Sequence, residues 1–127
     1  MTTTFTEPHR RGGFLISEAE GTRSREVGAF TNAGSVDLAL PAGLVIGQLA
    51  ADGSLVGYTN TGTLGAQTAI GVLWDNLTIP PGVTATETYI ARDAEVNAAE
   101  LQYVAGDVAA DKTAALADLR SIGIVAR

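Results

Sequence analysis

His9, flanked by Arg10 and Arg11, is the one histidine of the chain, so any imidazole-based catalysis or metal binding would have to start there. Neighbouring positive charge and solvent make it a poor general base. One histidine without cysteine also cannot build an ordinary zinc site. Two carboxylate pairs, Glu18 with Glu20 and Asp93 with Glu95, have the i, i+2 spacing that puts both members on one face of a strand, where they would offer an acid and a base. Such a couple needs unequal environments to divide the roles. Arg23, Arg25 and Arg92 lie close by in sequence and would hold these acids as ordinary ion pairs. The glycines form neither of the phosphate-cradling arrangements, G-x-G-x-x-G or G-x-x-x-x-G-K-[ST], and read as turn formers. Asn76, Leu77 and Thr78 match the N-glycosylation pattern, but no export signal accompanies them. No catalytic residue, cofactor or metal is therefore expected.

Composition narrows the remaining classes. The chain has 127 residues, enough for one ordinary domain, with 46% hydrophobic and 17% charged residues, which excludes wholesale disorder. No apolar run approaches the roughly 20 residues of a membrane helix, so a soluble chain with no membrane partner is expected. The start, MTTTFTEPHRRGG, lacks a secretory pattern, and the absence of cysteine agrees with a reducing compartment, so synthesis in a cytoplasm is expected. Residues 1–30 carry four arginines and four glutamates, which leaves the whole net charge of −6 on residues 31–127. An acidic body without a basic stripe repels phosphate backbones, and direct nucleic-acid binding is disfavoured.

The elements that must position these residues read as mainly β. Residues 1–13 are rich in Thr, Gly, Pro and Arg and are expected to extend as an arm, reaching about 40 Å at about 3.3 Å per residue. Residues 14–30 suit an exposed or edge strand and form the root of that arm. Residues 31–127 form the body. Val36, Leu38 and Leu40 alternate, Pro41 to Gly43 turn, and Leu44 to Leu49 is a strand. Asp52-Gly53 then makes a hairpin with Leu55 to Thr59. A polar loop from Asn60 to Thr68 leads to Ala69 to Trp74, with Ile70, Val72 and Trp74 on one face, and Trp74 is expected in the core or at a subunit contact. Pro80 to Gly82 turn into a half-exposed strand, Thr86 to Ala91. Asp111 caps a short helix over Lys112 to Arg120 that Gly123 ends, and Ile124 and Val125 form a last strand.

Several separated stretches together resemble the head decoration proteins of lambda-like bacteriophages. They are FLISEAEGTRSREV at 14–27, LPAGLVIGQL at 40–49, the strand at Tyr58, AIGVLWD at 69–75, ARDAEVNAAEL at 91–101 and LRSIGIVAR at 119–127. The resemblance implies a small β-tulip or β-clip-like barrel with one short C-terminal helix. It also implies a homotrimer that binds the major capsid protein at local three-fold positions on the outside of the expanded head, cementing it without catalysis. Arms reaching onto neighbouring capsid subunits would dock by strand addition. Phe5, Arg10, Arg11, Phe14, Leu15, Ile16, Arg23 and Arg25 are the candidate capsid-binding residues, and Trp74 and Arg92 the candidate trimer contacts. Two other classes remain open. A trimeric β-clip nucleotide hydrolase would lean on Asp93, and an adhesion module for a host glycan or protein would use the loop 59–68.

Overall fold

The computed structural model describes residues 3–104 and 109–127. Among these described residues ten strands and one helix follow in order: β1 (Leu15–Glu18), β2 (Arg25–Thr31), β3 (Leu38–Leu40), β4 (Val45–Gln48), β5 (Leu55–Gly57), β6 (Gly71–Leu73), β7 (Leu77–Ile79), β8 (Thr84–Ile90), β9 (Ala94–Val96), α1 (Ala109–Ser121) and β10 (Ile124–Ala126). A single 3-10 turn, Ala98–Glu100, precedes the helix. Five strands form an antiparallel sheet in the order β2-β8-β6-β4-β5. β1, β9 and β10 form a second sheet in which β9 and β10 run parallel, and β3 pairs with β7.

Alternation along the five-stranded sheet divides the core in two. Val45, Val72 and Ile90 join Phe14, Val96, Leu119 and Ile124 in one buried cluster, covered by the second sheet and the helix. Ile46 and Leu73 turn the other way and meet Phe30, Leu44, Leu55 and Ile79 beneath the β3/β7 pair. Successive residues of a strand point to opposite faces, and here both faces are covered. The expected common face of Ile70, Val72 and Trp74 is thus split. Val72 and Trp74 belong to the first cluster, whereas Ile70 lies just before β6 and packs against the second.

The mainly β reading with a C-terminal helix is what the molecule has, and the strands form several sheets with no closed barrel among the described residues. Closure is nonetheless approached. β2 and β5 are the two edges of the large sheet, yet a Cβ placed on Gly28 would stand 2.2 Å from Leu55 Cδ1. Leu55 fills the space a side chain at Gly28 would take, so the edges meet through packing instead of a hydrogen-bond ladder.

Local signals hold in most places. Gln48 pairs with Leu55 across the Asp52-Gly53 hairpin, where Gly53 takes φ +76° and Ser54 N–H donates to Asp52 Oδ1 at 2.9 Å. Gly123 ends the helix with φ +85°. Asp111 differs from expectation: it sits inside the first helical turn, where Asn60 Nδ2 donates to its Oδ1 at 2.9 Å. Val36 lies outside β3 because Asn32 Nδ2 donates to its carbonyl and holds the preceding loop.

Candidate docking site at the root of the N-terminal segment

Residues 14–30, expected as the root of an arm, lie within the body: β1 and β2 are edge strands of the two larger sheets. Two turns bring the chain into β1. Gly13 N–H donates to Arg10 O at 3.0 Å and Leu15 N–H donates to Gly12 O at 3.0 Å. Gly12 has φ +62°, and a Cβ there would stand 2.3 Å from Trp74 Cη2, so only glycine lets the backbone pass this ring. Gly12 N–H donates to Trp74 O at 2.9 Å.

Trp74 is the centre of the junction. Phe14 meets it edge to face with ring centroids 6.2 Å apart, and the Arg25 guanidinium lies 4.0 Å from the indole centroid. Arg25 also grips Glu18 through two hydrogen bonds, Nε to Oε2 at 3.0 Å and a terminal nitrogen to Oε1 at 2.6 Å. Those bonds hold the Glu18 carboxyl below the usual carboxylate range, against the opposing effect of burial. The same bonds raise the Arg25 guanidinium above its ordinary value.

The following loop fastens the segment further out. Arg11 Nε donates to Asp75 Oδ2 at 2.7 Å, and Asn76 Nδ2 donates to the carbonyl of His9. Asn76 Oδ1 accepts from Ala42 N–H at 3.0 Å, so one amide ties the segment to the body at both ends. Pro8 and His9 lie between two clefts, one running to Phe14, Ala42 and Glu100, the other to Leu40, Pro41 and Leu77. Thr3 to Pro8 are exposed without regular structure. The exposed stretch therefore ends at Pro8 and not at Gly13, and its six described residues, Thr3 to Pro8, would span about 20 Å if fully extended.

The candidate residues fall into three groups. Phe5 is 91% exposed and Ile16 is 53% exposed on edge strand β1. Arg10 is exposed and pairs with its neighbour Glu7 at 2.8 Å. Arg11, Arg23 and Arg25 are paired with Asp75, Asp93 and Glu18 of the body, and Leu15 is half-buried. Phe14 is a correction: only 2% exposed, it fills a pocket in its own core and offers no side chain to a partner. Trp74 is likewise occupied by Gly12, Phe14 and Arg25, and Arg92 pairs with Glu26.

The carboxylate couples do not form. Glu20 lies in a turn beyond the end of β1, Asp93 precedes β9 with φ +49°, and Glu95 pairs with Arg127 at 2.9 Å. Among the described residues no group of three or more His, Cys, Asp or Glu side chains could hold a metal ion, and no helix is long and apolar enough to cross a membrane. Asp75 and Asn76 are the residues that sequence reasoning passed over. Their partners in the N-terminal segment, Arg11 and His9, lie more than sixty positions away, and Asn76 stood only in a glycosylation-like triplet.

The described residues form a small β-rich body with a charged, exposed N-terminal segment. The family model described as bacteriophage lambda head decoration protein D matches residues 4–124, nearly the full chain, and the protein belongs to that family. Membership makes it a phage head component associated with the capsid of the virion, in a family that is structural and not enzymatic. No curated protein sequence matches the chain.

Proposed function

We propose that the protein is a cement for the phage head. It binds the outside of the expanded capsid as a homotrimer at local three-fold positions, through the major capsid protein, and stabilises the shell against internal DNA pressure. One observation carries this reading: an exposed segment, Thr3 to Pro8, leaves a well-packed body with Phe5 standing 91% in solvent. An apolar ring so exposed gains nothing in the free molecule and becomes favourable when a partner buries it. Ile16, on the outer edge of β1, extends the same surface, and Arg10 supplies a charge whose internal partner is an equally exposed neighbour.

Ordering the segment costs roughly 1–2 kcal/mol per residue, and three linked copies would make the second and third attachments intramolecular. Selectivity for the expanded shell follows if the docking surface is assembled from several capsid subunits only in that geometry. The acidic body suits an outward position, away from packaged DNA.

The test is to mix purified protein with expanded and unexpanded shells of its cognate capsid protein, image both, and repeat with residues 1–8 deleted. Occupied three-fold positions on expanded shells alone, lost with the deletion, are the expected result. Equal decoration by the deleted protein would remove the segment from the docking surface.

A further inference from the structure

We infer that Asp75 and Asn76 form a positioning clamp that fixes where the docking segment leaves the body, so that they govern attachment without touching the partner. The inference rests on the reading of Thr3 to Pro8 as the docking segment. Three contacts converge on one short loop. Gly12 N–H reaches Trp74 O, Arg11 reaches Asp75, and Asn76 holds the His9 carbonyl while its other end is fixed by Ala42. Among the described residues beyond His9, the side-chain bonds run only between Glu7 and Arg10, within the segment itself.

A chain clamped at His9 has its direction and residues 9–12 settled before it meets a partner. Released at Arg11 and His9, those residues would have to be ordered on binding, which lowers affinity without removing any contact. One exposed ion pair and one hydrogen bond are worth about as much as a tenfold change in an equilibrium constant. That sets the scale of the expected effect.

The variants are Arg11→Ala, Asn76→Ala, and the exchange pair Arg11→Asp with Asp75→Arg, made singly and together. Arg11 is exposed, so its truncation leaves the core untouched. Amide exchange at Gly12 and Gly13 is measured in the free protein, and the dissociation constant is measured on expanded shells. We expect exchange about threefold faster and binding about threefold weaker in each single variant, a melting temperature lowered by no more than a few degrees for Arg11→Ala, and recovery of both readouts in the double exchange. Unaltered exchange would overturn the clamp, as would faster exchange with undiminished binding. If the unmodified protein fails to bind shells, the proposed function falls, and with it the clamp's role in attachment. The exchange rates of the free protein still decide whether the clamp exists.

Discussion

Arg25 lays its guanidinium 4.0 Å from the centre of the Trp74 indole while one edge of the group binds both carboxylate oxygens of Glu18. A strand near the start of the chain is thereby locked onto a strand end forty-nine positions later, beside the point where the N-terminal segment passes over the same ring. Planarity makes this possible, since the fork binds the carboxylate in its plane and the flat face covers the indole.

Arg25→Lys should therefore behave as a disruptive change although it conserves charge. An ammonium cannot hold both carboxylate oxygens in plane and stack at the same time, and a loss of about 1 kcal/mol is expected. A lower urea midpoint at an unchanged denaturant slope would register it. Equal midpoints would mean that the stack adds nothing.

The same pair sets a pH dependence. The folded state depresses the Glu18 carboxyl through its bonds from Arg25, so the unfolded chain takes up a proton first as acid is added. The stability contributed is fully present above the unfolded value of about 4.3, and is lost as pH falls through the lower folded value. Glu18→Gln should flatten the stability profile below about pH 4.5 and lower the plateau at neutral pH. Urea midpoints between pH 3 and pH 7 would check both.

How much of this was readable in the sequence depends on how local each cause is. Asp52-Gly53, Gly123 and the Val/Ile/Leu runs act within a few residues, and the hairpin, the helix end and the strands follow from them. The ion pairing of Glu18 was legible because Arg25 lies seven positions away. Phe14 was not, because an apolar residue beside glycines and arginines looks the same whether its pocket belongs to its own chain or to another. Leu73 and Ile70 were hidden by burial on both faces of β6, which erases the alternation that marks a one-sided strand. Asp75 and Asn76 gain their roles only from backbone brought to them by the fold.

Phe14 and Phe5 should separate folding from attachment. Removing the buried ring of Phe14 leaves a cavity beside Trp74, and Phe14→Ala should cost about 3 kcal/mol. Phe14→Asp places an unpartnered charge there and should prevent folding outright. Phe5→Ala should leave the urea midpoint unchanged and weaken binding to expanded shells. A stable, monomerically well-folded Phe14→Asp protein with impaired docking would restore Phe14 to the partner-facing surface.

The near-closure of the large sheet gives a double-mutant test. Gly28 sits in β2 with Leu55 Cδ1 in the place its side chain would occupy, and a Cβ there would also stand 3.2 Å from Tyr89 Cε1. Gly28→Ala forces Leu55 to move within a filled cluster, and overpacking of this kind costs about 1–3 kcal/mol. Leu55→Ala alone opens a cavity in the second core cluster, at about 2–5 kcal/mol. Together the added methyl enters space that Leu55 has vacated, so the double variant should lose less than the two single losses added. A coupling of at least about 0.5 kcal/mol in that direction is expected from neighbours in contact. Strict additivity in urea unfolding would mean that the two edges of the sheet do not meet in solution.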